Sequence, residues 1–258
     1  MGDTPDYRIL PFPRSRQVVL DAGWMGTRRH LSYALLEFDV TSLREWSRSE
    51  KERTGESPSL TAYLVGAFSR AIAQDPSVQA YRNWRGQQVV FSDVDVATLV
   101  ETTRGAVALP HIIRSANSKT FKEIQAEIRS VKRDPSQSPQ KNRILDLGVY
   151  APTFLRRAFW RIVLKLPFTL KKYSGTTVVT SVGMFGKGGG WGVTFLPVHT
   201  LGLTIGGIVQ RPGVVDGSIA AREYIDLTVT FDHDIVDGAP AVRFLQRFKE
   251  QIESFEVE

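Results

Sequence analysis

The sequence predicts one mixed α/β domain of the α+β kind, with a mixed sheet flanked by helices. Three observations carry this reading. Apolar residues recur at helical spacing over Leu60–Ile72 and Ala241–Ile252, apolar strand-like runs fill Gly175–Gly183 and Ala220–Asp234, and no linker or repeat divides the chain. Its 258 residues can bury a sizeable core without covalent staples.

Taken in order, residues 1–30 read as an irregular, basic arm (PFPRSR, then GTRRH). LSYALLEFDV is a strand that turns at Thr41–Ser42, and a polar helix over Leu43–Arg53 ends at Thr54–Gly55, where glycine suits the C-cap. Leu60, Leu64, Ala67, Phe68, Ala71 and Ile72 form the stripe of a helix capped by Ser57 or Ser59 and ended by Asp75–Pro76. QQVVFSD, VDVATLVET and AVALPHIIR read as strands, and SKTFKEIQAEIRSVKRD as an amphipathic helix. DPSQSPQKN is a loop. Residues 147–174 carry six lysines and arginines and no acid, interleaved with Phe154, Phe159, Trp160 and Ile162, and the bracketing Pro152 and Pro167 predict one short basic amphipathic helix. GTTVVTSVG is a strand running into the glycine-rich loop 183–192; HTLGLTIGGIVQ, a turn over RPGVVDGS, the strand AAREYIDLTVTFDHD and a closing helix follow.

Composition narrows the chemistry. The chain has no cysteine, which removes disulfides, thiolate metal sites and a cysteine nucleophile, and leans toward a reducing compartment. A formal charge of +6 favours anionic partners: nucleic acid, a membrane surface or a phosphorylated cofactor. Met1–Pro13 holds acids and prolines where a signal peptide needs an apolar segment, and no apolar run is long enough to span a bilayer. The expectation is a soluble cytoplasmic protein. No histidine pair has metal-ligand spacing, so no metal is expected, and GMFGKGGGWG lacks the GK[ST] of a nucleotide triphosphate loop. No stacking platform or known module supports nucleic-acid binding.

Of the four histidines, His30 and His111 read as structural and His199 as structural or substrate-proximal. His233 stands apart, at the end of the strand LTVTF and flanked by Asp232 and Asp234 just before a helix. Such a junction holds a side chain rigidly at a rim, and neighbouring carboxylates fix an imidazole's tautomer or charge for general-base work. As bland alternatives, Asp237 suits a helix N-cap, and Asp232 and Asp234 suit a solvated turn.

Asp232-His233-x-x-x-Asp237-Gly238 resembles the active-site motif of the catalytic domain of dihydrolipoyl acyltransferases, the cores of 2-oxo acid dehydrogenase complexes. The resemblance runs in order along the chain. Gly175–Gly186 is similar to the family's Gly-Thr-Phe-Thr-Ile-Ser-Asn-Leu-Gly segment, Val94–Arg114 to its paired strands, His30–Leu43 to its first strand and Leu60–Pro76 to its first long helix. Coverage is roughly residues 25–135 and 174–256. It implies a chloramphenicol acetyltransferase-like two-layer sandwich and a homotrimer or larger assembly, with the site between subunits. It also implies coenzyme A as substrate, a dihydrolipoyl acceptor, His233 as general base, Asp237 as brace, and Thr180 as hydroxyl donor to the oxyanion. Ser181 is the alternative donor, on the opposite strand face. Asp237 has Arg14, Arg16 and Arg28 as candidate partners.

Three departures stand out. No lipoyl or peripheral-subunit-binding domain and no Ala/Pro-rich linker is expected, so the acyl carrier is expected to be a separate protein or a free thiol. Residues 147–174 replace a short connection; they suit packing on the trimer, an anionic lipid surface or an acidic carrier, and their cations suit coenzyme A phosphates. The arm PRSRQVVLDAGWMGTRRH differs from the family's Arg-Lys-x-Ile-Ala-x-x-Met helix. A non-catalytic trimeric scaffold that binds a partner or a membrane is the alternative function.

Overall fold

The computed structural model describes residues 7–13, 16–100, 109–134, 151–182 and 188–253. A six-stranded mixed sheet runs in the order β1-β8-β7-β6-β4-β5, formed by β1 (Leu31–Asp39), β4 (Val96–Val100), β5 (Leu109–Ile113), β6 (Thr177–Ser181), β7 (Leu201–Val215) and β8 (Ser218–Asp232). β6 lies parallel to both β4 and β7, and the remaining pairs are antiparallel. β2 (Tyr81–Arg82) and β3 (Gln88–Val89) make a separate small ladder.

Strand alternation gives the sheet two unlike faces. Phe38, Val96, Ile113, Val179, Leu203, Ile205, Leu227, Val229 and Phe231 point to one core. There α3 (Leu60–Ala73), α4 (Phe121–Arg133) and α7 (Gly238–Glu253) cover them through Phe68, Ile124, Phe244 and Phe248. Local signals set these helices. Ser59 caps α3 by accepting from the Ala62 N–H, Thr120 and Glu123 form a reciprocal capping box on α4, and Gly55 ends α2 (Thr41–Thr54) at a φ of 76°. The opposite face carries Gly202, Thr204, Asp226, Thr228 and Thr230 and is crossed by residues 188–196. The crossing is close: the Gly207 N–H donates to the Gly190 carbonyl (2.9 Å), and a Cβ on Gly206 would collide with that same oxygen.

The structure corrects the sequence reading in three places. The arm is partly helical, as α1 (Gln17–Gly26). Between Pro152 and Pro167 the expected helix is present as α5 (Thr153–Val163), but a second helix that the reading missed, α6 (Pro167–Ser174), follows it, because Pro167 opens a new first turn. β7 continues through Arg211-Pro212-Gly213 to a two-residue turn at Asp216–Gly217, whose φ values of 49° and 78° suit a tight hairpin. Pro212 is tolerated because β6 pairs with β7 only as far as Ile205, so at Pro212 β7 is an edge strand paired with β8 alone.

No residue of α5 is buried as a whole, though one side chain is. Arg156 holds it to α1 through an ion pair with Asp21 at 2.7 Å, with both side chains about 90% buried (10% and 9% exposed). Beside it, Arg28, Arg157 and Arg161 stand over the Trp24 ring at 4.3, 5.4 and 5.6 Å. Among the described residues, no helix is long and apolar enough to cross a membrane.

His199 couples the fold to pH. Its Nε2–H donates to the Ser174 carbonyl oxygen (2.7 Å), and burial depresses its pKa from 6.5 to about 4. The unfolded chain therefore takes up a proton at pH 6.5 that the folded chain refuses until about pH 4. Stability is lost as pH falls through that window, by about 3 kcal/mol. Urea unfolding at pH 7 and pH 4 should give a steeper loss for the wild type than for His199→Gln; equal slopes would contradict this account.

Candidate active site

The strand β8 ends at Asp232, and the next five residues turn into α7. Several backbone bonds fix this turn. The His233 N–H donates to the His30 carbonyl (2.8 Å), the Asp232 N–H to the Thr200 carbonyl (2.8 Å), and the Ile235 and Val236 N–H groups to the Asp232 carbonyl (2.9 and 3.1 Å). Val236 anchors it in the core. The His233 ring is left free: its side chain is 54% exposed, and its Nδ1 lies 3.9 Å from Asp237 Oδ1, an ion-pair distance too long for a hydrogen bond. Backbone rigidity with an open ring is what a proton-transfer group needs.

The solvated-turn reading of Asp232 does not hold. Asp232 sits on the polar face of β8 and is buried, and Arg29 donates to its carboxylate and to the Val198 carbonyl. Asp234 accepts from or shares a proton with His30 Nδ1 at 2.9 Å, and this bond raises the His30 pKa. His30, expected to be merely structural, thus holds the His233 loop through both its carbonyl and its ring. The arginine that matters is Arg29, and it pairs with Asp232 and not with Asp237. Arg28 stacks on Trp24, Arg16 donates its backbone N–H to Pro13 at 3.0 Å, and Arg14 lies outside the described residues. One signal for Arg29 was available: on β8, Asp232 shares the parity of Asp226, Thr228 and Thr230, and a buried carboxylate on that face requires a cation.

Removing one partner of a buried pair strands the other charge. Arg29→Ala should cost about 3–5 kcal/mol of stability, readable by chemical denaturation, whereas Arg28→Ala should cost under about 1 kcal/mol.

Thr180 lies on β6 opposite Thr204, which in turn faces Thr228 on β8. Val179 and Ser181 take the core side of β6, Ser181 pairing with the core residue Ile205. The structure therefore brings His233 and Asp237 together but leaves Thr180 apart. Two strand spacings across the sheet and four residues along β8 put about 17 Å between the Cα atoms of Thr180 and Asp232. One substrate carbonyl cannot meet both Thr180 and His233 of a single chain.

A cavity of about 310 Å³ opens beside the motif, between α1, β2, α5 and the Asp232–Ile235 turn. Arg28, Arg29, Arg82, Arg161 and Lys165 line it, against two carboxylates, Asp232 and Asp234.

Residues 25–140 and 169–257 match the model of the 2-oxoacid dehydrogenases acyltransferase (catalytic domain) family. The chain belongs to that family. Relatives within it include the lipoamide acyltransferase component of the branched-chain alpha-keto acid dehydrogenase complex of Bacillus subtilis. That protein is 26% identical over 231 residues, covering 87% of this chain and 47% of its own length. The human mitochondrial dihydrolipoyllysine-residue succinyltransferase component is 25% identical over 224 residues, covering 84% and 42%. The chain thus spans under half the length of these acyltransferase components. The fold agrees with a probable dihydrolipoamide acetyltransferase from Listeria monocytogenes (TM-score 0.71, 22% identity, 96% and 95% covered). It also agrees with chloramphenicol acetyltransferase (TM-score 0.51, 13% identity, 95% and 95% covered). The two-layer sandwich expected of this acyltransferase family is therefore the fold observed. Residues 141–168, which include α5, fall between the two stretches that match.

Proposed function

We propose that this chain moves an acyl group between coenzyme A and a thiol acceptor such as a dihydrolipoyl group, with His233 as general base. The observation that carries the reading is the His233 turn: a backbone pinned to β1 and β7, and an open imidazole beside Asp237 at the rim of a cationic cavity. The names of the curated relatives, lipoamide acyltransferase and dihydrolipoyllysine-residue succinyltransferase, support the same chemistry.

In this mechanism Nδ1 faces Asp237, and Nε2 takes the proton from the incoming thiol. The thiolate attacks the thioester carbonyl carbon, and the tetrahedral oxyanion accepts a hydrogen bond from the Thr180 hydroxyl. Collapse breaks the original carbon–sulfur bond, and the imidazolium returns its proton to the leaving thiolate. Because Thr180 and His233 of one chain lie so far apart, the hydroxyl comes from a second copy, and the active unit is a closed homo-oligomer, a trimer in this reading.

The test is turnover of a short acyl-CoA panel with dihydrolipoamide as acceptor. Activity lost in His233→Ala supports the reading. A folded wild-type protein that turns over none of the panel overturns it and favours a non-catalytic scaffold, a role that the exposed Phe154, Phe159 and Ile162 of α5 would suit.

A further inference from the structure

α5 keeps two unlike sides apart. At about 100° per residue, Phe154, Leu155, Ala158, Phe159 and Ile162 fall within an arc of about 140°. All five are exposed, Phe154 at 70% and Ile162 at 64%. Arg156, Trp160 and Val163 take the other side. There Arg156 donates to Asp21 and Gln17, and Val163 packs against the small cluster of Tyr81, Phe91 and Leu170. A contiguous apolar side on an outlying helix marks an interaction surface.

The charges around it narrow what it meets. Residues 147–174 carry six cations and no acid. Arg156 and Lys171 are matched by Asp21 and Asp93. Arg157, Arg161, Lys165 and Lys172 have no carboxylate partner among the described residues. In the helical projection Arg157 and Arg161 border the apolar arc beside Phe154. An apolar side with a cationic border is complementary to a bilayer with anionic headgroups: the rings enter the acyl boundary while the guanidinium groups stay at headgroup level. A second copy of this chain fits poorly, since two such sides would set arginine against arginine in a chain of net charge +6. A partner helix would call for a narrower apolar seam. With 11 residues α5 is too short to cross a bilayer, so it would lie in the plane of the surface.

We infer that the outward side of α5 docks the protein on an anionic lipid surface. The inference goes beyond the acyl-transfer reading and uses none of its residues. α6 repeats the same chemistry with Phe168 and Lys172, one turn apart and both exposed.

Flotation of the full chain with phosphatidylcholine vesicles, with and without phosphatidylserine, tests this directly. The wild type should float with the anionic vesicles, stay in solution with the neutral ones, and be released as salt rises. Phe154→Ser with Ile162→Ser should weaken binding to anionic vesicles at least about tenfold, because two side chains lose their apolar burial. Arg157→Gln should weaken it about fivefold, and Lys122→Gln on α4 by less than about twofold. These side chains are exposed, so urea midpoints should match the wild type, and acyl transfer between soluble substrates should be unchanged. No binding to anionic vesicles overturns the inference. Binding that the double variant keeps also overturns it, because bulk charge then suffices. A smaller oligomer in the double variant, seen by analytical ultracentrifugation, would place a second copy on this side and overturn it. Retention of the wild type on immobilised polyglutamate, lost in the double variant and without vesicle binding, would assign the side to an acidic protein and overturn it as well. Lipid binding that depends on Phe154, Ile162 and Arg157 sustains it whether or not any acyl group is transferred.

Discussion

His233→Ala is expected to slow acyl transfer by about 10²–10⁴-fold while leaving the fold intact, the range that a positioned general base contributes. The His233 ring is more than half exposed and its nearest ionic neighbour, Asp237, is 3.9 Å away, so truncation removes no packing and no side-chain hydrogen bond. What positions the residue is backbone bonding to His30, which alanine keeps. The loss should therefore fall on kcat, with KM for acyl-CoA close to wild type. Asp237→Asn should cost much less, under about tenfold, because an exposed pair at that distance contributes little. An Asp237→Asn variant as impaired as His233→Ala would show that the two act as a tighter unit than their geometry indicates.

The second large effect concerns Thr180. Removing the hydroxyl that faces the oxyanion should lower kcat by about 10²–10³-fold in Thr180→Ala, and Thr180→Ser should restore most of it. The strand register makes a sharper prediction. If each site takes His233 from one chain and Thr180 from another, co-expressing Thr180→Ala with His233→Ala creates sites that hold both intact residues. Random assembly of equal amounts gives about one quarter of the sites both groups. The mixture should thus show near one quarter of wild-type turnover, far above either variant alone. If both groups served one chain's substrate, co-expression would recover nothing.

Much of this architecture was legible because its determinants are local. The α3 stripe, Ser59 at its cap, the Thr120–Glu123 box and the alternation of β8 are each written within a few residues. The candidate site was partly legible for the same reason, since His233 and Asp237 lie four residues apart on one turn. What escaped depends on long-range partners. Arg29 and Asp232 are 203 positions apart, and nothing local distinguishes Arg29 from Arg28. α1 carries a weak apolar pattern with no side-chain cap and is helical where Asp21 meets Arg156, 135 residues away. Pro167 marked the end of α5, but a proline suits both the stop of one helix and the first turn of the next, and only the stop was read. In β7, Pro212 and Gly213 look like a turn unless it is known that β6 stops short of them.

The way α5 is attached bears on where such a chain can change. The described attachments of α5 lie mainly at its edges: the Arg156 fork on Asp21 and Gln17, Arg157 and Arg161 over the Trp24 ring, and Val163 against the small cluster of Tyr81, Phe91 and Leu170. The main core, formed by the sheet and α3, α4 and α7, closes without any residue of this segment. Most positions of α5 are exposed and lightly constrained by the fold, whereas Arg156 is held by the charge its loss would leave unpaired on buried Asp21. Sequence change should therefore be tolerated by the fold along the outward side of α5 and resisted at Arg156 and Val163, the two positions tied to buried neighbours.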